Sequence, residues 1–175
     1  LYPKVNHNLL DATDPFAVVV DKEEDLAGLP ASSIAVAAEE AKSRNLGEGH
    51  WVFTLHAPSR LPLLQYADNR ELRRKIYEGY TTQATSGDNN NLPVISDILK
   101  LRAQKAQLLG YKDFGSLQTD KVMAKTTQAA EDLLMQIWRP AVKRVHEEVA
   151  EMQALADAEG ADFKIAPYDY YYYAE

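Results

Sequence analysis

Between Thr126 and Gly160 the apolar residues Leu134, Ile137, Trp138, Ala141, Val145, Val149, Met152 and Leu155 recur mostly at intervals of three and four. That spacing lines one face of an α-helix. It does not line a strand, whose faces alternate every two residues. Gly160 supplies the expected stop. Pro140 lies in the middle and predicts a kink or a division into two helices, because it lacks an amide hydrogen and its ring crowds the preceding turn.

The rest of the chain repeats the pattern on a smaller scale. Leu92, Ile95, Leu99, Ala103, Ala106 and Leu109 mark the buried face of a second long helix, opened by Asn91 and Pro93 and closed by Gly110 at the C′ position. Asn69 caps a helix in which Leu72, Ile76 and Tyr80 face inward and Arg70, Arg73, Arg74 and Lys75 lie on other faces. Pro62 suits the first turn of a helix ending at Tyr66. Ser32 or Ser33 caps an alanine-rich helix through 34–45, and "DFGSLQ" (113–118) reads as a short one. Asp21 and Glu24 resemble a capping box ahead of a short helix stopped by Gly28 and Pro30. Two segments break the pattern: "FAVVV" at 16–20 and "WVFTL" at 51–55 are β-branched and aromatic, and read as an antiparallel pair of strands. The fold class is therefore mainly α with a small two-stranded element. The chain forms a single helical region over 1–175, with "ATSGDNNN" (84–91) as a flexible loop and the one candidate hinge.

Composition excludes several functions. There are no cysteines, so there is no disulfide framework, thiolate metal site or cysteine nucleophile. The formal net charge is −7, which argues against nucleic acid and anionic membranes as partners. No apolar run is long enough to cross a bilayer, and no signal peptide is evident. The chain begins at Leu1, which implies that something preceded it.

No catalytic constellation is complete. "HEEVA" (146–150) begins like the His-Glu-x-x-His helix of zinc hydrolases, but Ala150 stands where the second histidine belongs. His146 therefore reads as a flank of the apolar stripe. His50 and His56 sit at opposite ends of one strand, about 20 Å apart, and cannot share a metal. Ser59 lacks the glycines of a nucleophile elbow. "GEG" (47–49) is too short for a dinucleotide fingerprint and precedes a strand. "RELRRK" (70–75) is interleaved with acidic residues and reads as a solvated helix face.

Several blocks nonetheless occur together in a recognisable order: "DLAGLP" (25–30), "WVFTLHAPSRLPLLQYADNRELRRKIYEGY" (51–80), "NNLPVISDILKLRAQKAQLLGYKDFGSL" (90–117) and "DKVMAKT" (120–126). They resemble the thimet-oligopeptidase family of zinc metallopeptidases, most closely its bacterial peptidyl-dipeptidases (dipeptidyl carboxypeptidases). The likeness runs from about Leu9 to Glu175. It implies a nearly all-helical parent several times longer, with two halves around a deep channel. It implies zinc as cofactor, held by His-Glu-x-x-His and a further glutamate downstream of the region seen here. None of those ligands maps onto a position in this chain. The implied activity of the parent is hydrolysis of oligopeptides with release of C-terminal dipeptides. The implied location is cytoplasmic, although the family also has exported members. This chain would be a non-catalytic, inactive piece of helical scaffold, with no zinc of its own. Its exposed apolar surface is expected to favour self-association. The competing reading is a stand-alone helical module that binds a protein or peptide and has no enzymatic activity.

The final stretch, "APYDYYYYAE" (166–175), bears on both readings. Asp169 is placed to cap a helix starting at Tyr170 by accepting from the amides of Tyr171 or Tyr172. Only six residues remain from that start, too few for an isolated helix. Tyr170, Tyr171, Tyr172 and Tyr173 are the candidate substrate-channel residues.

Overall fold

Val18, Val19 and Val20 alternate between buried and exposed positions, as a strand with one packed face requires. They form β1 (Val18–Val20), which pairs antiparallel with β2 (Trp51–Phe53) in the register Val18↔Phe53, Val19↔Val52 and Val20↔Trp51. Both strands are shorter than the expected 16–20 and 51–55. Phe16 serves instead as a packing residue beside the core, and Leu55 is buried beyond the end of β2. The computed structural model describes residues 1–175.

Eight helices make up most of the rest: α1 (Tyr2–Thr13), α2 (Ala31–Ser43), α3 (Ala57–Tyr66), α4 (Arg70–Thr81), α5 (Leu92–Leu108), α6 (Phe114–Thr119), α7 (Thr127–Ala158) and α8 (Tyr170–Tyr173). Single 3-10 turns occupy Glu23–Leu26 and Pro167–Asp169. The fold is mainly α with one two-stranded sheet. The main core joins Val18, Val20, Phe53, Leu55, Leu63, Leu64, Leu72 and Ile76, so the sheet is wrapped by α2, α3 and α4.

Local chemistry explains several helix ends. Thr126 accepts from the amide of Ala129 and starts α7, and Asp113 accepts from that of Ser116 and starts α6. Gly110 and Gly160 adopt φ of +78° and +83°. In each case the next residue's amide reaches back five positions, Tyr111 to the Ala106 carbonyl and Ala161 to the Ala156 carbonyl, which closes the helix in a Schellman turn.

Other expected starts are displaced. α2 begins at Ala31 behind Pro30, so neither serine caps it. α3 begins at Ala57 with Pro58 in its first turn, and Pro62 lies inside it. The turn after Asp21 is a short 3-10 segment without a side-chain cap.

Two long helices depart from expectation in ways that matter below. In α5 the buried residues are Val94, Ile98 and Ala106, whereas Leu92, Ile95 and Leu99 are exposed. The helix is apolar on two sides, and α1 decides which is buried. Asn8 on α1 donates to the side chain of Asn91, and Asn91 donates to the Val5 carbonyl. That buried pair fixes α1 against the start of α5 and turns the Val94–Ile98 side inward. It also occupies Asn91, which makes no capping bond. α7 is one continuous helix through Pro140, neither split nor ended there. Only Met152 and Ala156 on it are buried, while Leu134, Ile137 and Trp138 are 63%, 62% and 63% exposed. No helix is long and apolar enough to cross a membrane.

Candidate functional site

The one place where charge is drawn into the interior is the junction of α4 with the C-terminal tyrosine segment. α4 begins at Asn69, whose side chain accepts from the amides of Glu71 and Leu72 and donates to Asp25. One turn of helix then places Arg70 and Arg73 side by side, facing residues 163–172. Asp169 lies between them, fully buried. It accepts from Arg70 Nε and Nη2, the latter at 2.8 Å, from Arg73 Nη2 at 3.0 Å and from the Ala166 amide at 3.0 Å. Arg73 is 2% exposed, and its Nη1 donates to the carbonyls of Ala67 and Asp68 at 2.6 and 3.3 Å. Its Nε has no partner. Aromatic rings close over both cations: Tyr172 over Arg73 at 4.0 Å, and Phe163 and Tyr168 over Arg70 at 3.9 and 4.8 Å.

Electrostatics follow from this packing. Burial pushes the Asp169 carboxyl upward, but the hydrogen bonds from Arg70, the Ala166 amide and Arg73 outweigh it and hold it below the usual carboxylate range. The hydrogen bonds to Asp169 raise Arg70 further. Burial first, and the hydrogen bond to Asp68 second, push the Tyr172 hydroxyl up. Burial does the same for Tyr173. Both hydroxyls stay protonated at neutral pH, and that of Tyr172 donates to Asp68.

Two expectations are corrected here. Arg73 is not on a solvated face; it is the most bulky fully buried side chain in the chain. Its wheel position lies beside Ile76, about 60° round from it and at the edge of the arc that faces the core, so a small shift in facing decides whether it is buried. Asp169 stands at the N-cap position of α8 but its carboxylate does not accept from Tyr171 or Tyr172, because its oxygens are committed to the two arginines and Ala166.

The four tyrosines take different places. Tyr172 turns inward onto Arg73 and Asp68. Tyr170 separates two open clefts against α7. One is lined by Glu148, Glu151, Met152, Leu155, Tyr170 and Tyr173, and the other by Tyr77, Val149, Ile165, Pro167, Tyr170 and Tyr171. Beyond them Glu175 accepts from the Tyr66 hydroxyl at 2.9 Å. The segment thus offers rings and hydroxyls that can stack and hydrogen-bond.

The histidines do not converge. His7 sits by Asp11 at 3.3 Å, His56 by Asp14 at 3.7 Å and His50 by the Gly47 carbonyl at 3.2 Å, while His146 is exposed on α7. No three His, Cys, Asp or Glu side chains are grouped to hold a metal ion. The donor set of this chain does not fit zinc.

The pattern of peptidase family M3 matches residues 63–175, which takes in α4, Arg73, α7 and the tyrosine segment with Asp169. The chain belongs to peptidase family M3. It is 36% identical over 167 residues to a probable cytosolic oligopeptidase A of Arabidopsis thaliana, covering 90% of this chain and 23% of that protein. It is 35% identical over 175 residues to oligopeptidase A of Escherichia coli, covering 97% of this chain and 25% of that one. Against the dipeptidyl carboxypeptidase of Escherichia coli the identity is 32% over 176 residues, covering 100% and 26%. This M3 chain therefore spans about a quarter of the length of the relatives it matches. The names of these relatives agree with the likeness read from the sequence blocks.

Proposed function

We propose that this chain is the non-catalytic helical portion of a zinc-dependent oligopeptidase that hydrolyses short peptides and releases C-terminal dipeptides. One observation carries the reading: the chain aligns end to end with oligopeptidase A and dipeptidyl carboxypeptidase, yet accounts for a quarter of their length and holds its four histidines apart. On this reading the zinc ligands lie in the remainder of the protein. The chain contributes scaffold, and Tyr170, Tyr171, Tyr172 and Tyr173 contribute to the channel wall, with Tyr172 acting through its seat on Arg73. The 175 residues form a single helical region of the larger protein, with 84–91 as a flexible loop. The compartment is the cytoplasm, in keeping with the name of the Arabidopsis relative.

The test is a quenched-fluorescent peptide incubated with zinc and either this chain or the longest reading frame containing it. The expected outcome is no turnover by the chain. The longer protein should show chelator-sensitive turnover, with dipeptides identified by mass spectrometry. Turnover by the repurified chain, or a longer frame without peptide hydrolysis, refutes the proposal.

A further inference from the structure

Leu134, Trp138, Ala141 and Val145 on α7 follow one another at intervals of four, three and four; Glu148 takes the next place, and Met152 and Leu155 continue the series beyond it. This is the 3.5-residue repeat of a helix seam that receives a second helix at about 20°. The seam is treated differently along its length. Around Met152 and Ala156 the segment 161–174 covers it, with Tyr170 and Tyr173 packed beside Met152. Gln153 ties that cover down, donating to the Phe163 carbonyl and accepting from the Ile165 amide. From Leu133 to Val145 nothing covers it. Leu133, Leu134, Ile137, Trp138 and Val145 are 60%, 63%, 62%, 63% and 46% exposed.

We infer that the Leu134–Val145 seam of α7 is the docking face for another helix of the same, longer peptidase chain. Three observations choose that occupant. The seam is continuous with an interface that is already filled by this chain's own backbone. Its repeat specifies a helix as the partner. Its five exposed apolar side chains are few beside the roughly 20–30 residues a side of a standard interface between separate molecules. A covalently attached helix meets the seam at millimolar effective concentration and can use a face too small for free association. The inference rests on the proposed function, since it takes the chain to be a quarter of a larger protein.

The absence of cysteine gives a direct probe. Ala141→Cys places one small thiol in the seam, and its labelling is read by mass spectrometry on the tryptic peptide Thr126–Lys143. We expect labelling at least about tenfold slower in the longer protein than in the 175-residue chain, because the covered position reacts only on local opening. A second variant, Leu134→Asp, should lower the Tm of the longer protein by several degrees and leave that of the chain unchanged, because Leu134 is exposed there. Equal labelling in the two proteins overturns the inference. So does protection in the chain alone that grows with its concentration, which would make a second copy the occupant. A longer frame that lacks peptide hydrolysis refutes the functional reading instead, and the labelling comparison separates that failure from this one.

Discussion

Asp169→Asn should undock the tyrosine segment. The substitution keeps the shape of the side chain and one acceptor oxygen, but removes the only anion among two cations. Arg73, 2% exposed, then loses its counter-ion while buried, and its Nε is already without a partner. Breaking one side of a buried pair costs about 3–5 kcal/mol, because the surviving charge stays desolvated. Three features place this case at the lower end. Arg70 is one-third exposed and can turn toward water. Arg73 keeps the Ala67 and Asp68 carbonyls. The Tyr172 ring still covers the guanidinium. A loss of about 3 kcal/mol corresponds to roughly 6–12 °C in Tm for a domain of this size. Hydrogen exchange resolves where the loss falls, since amides 161–174 should lose protection before those of β1 and β2. The contrasting variant is Arg74→Ala. Arg74 pairs with Glu71 and Glu78 on an exposed face, where ion pairs contribute little, so its Tm should scarcely move. If Asp169→Asn leaves both Tm and the protection of Tyr170–Tyr173 as they were, the buried ion cluster is not what seats the segment.

Four further outcomes follow from the same geometry. The folded-state Asp169 carboxyl titrates below its ordinary range, so its stabilisation is present above the unfolded value of about 3.9 and disappears as pH falls through the lower folded value; acid unfolding of the segment below about pH 4 should be seen in the parent chain and missing in Asp169→Asn. Gly79→Ala should cost about 1–3 kcal/mol by urea unfolding, because the new Cβ falls 2.4 Å from the Phe16 ring, and Phe16→Leu in the same chain should recover part of it. Asn69→Ala removes the acceptor for the Glu71 and Leu72 amides and should cost about 1 kcal/mol. Added zinc should leave the Tm of the chain unchanged, since a ligand stabilises only by binding the folded state and no donor cluster is present.

What could be read from the sequence is what local chemistry decides. Gly110 and Gly160 close their helices because only a residue that tolerates positive φ lets the following amide reach back. That rule needs no knowledge of the rest of the chain. The same holds for the caps at Asn69 and Thr126. The antiparallel strand pair was legible from β-branched and aromatic content. Arg73 was misread because its partner stands 96 residues away. An arginine flanked by Glu71, Arg74 and Lys75 carries the local pattern of a solvated face, and nothing within a turn of helix announces a buried aspartate in a tyrosine tract. Asp169 was misread for the matching reason, since a carboxylate just before a helix satisfies the capping rule whether or not a stronger donor reaches it first. Two arginines outcompete two free amides here because each brings a full positive charge to the buried carboxylate, and Arg70 meets it with two donors.

The long helices show a different limit. Periodicity tells which residues of α5 share a side and not which side is covered. With Leu92–Ile95–Leu99 on one side and Val94–Ile98 on another, the Asn8–Asn91 bond from α1 makes the choice. In α7 a single stripe is covered at one end and bare at the other. A stripe records that a face is to be buried and leaves its partner unnamed. The helical class was therefore legible over the whole chain. What seats the tyrosine segment became visible only with Asp169 buried between its two arginines.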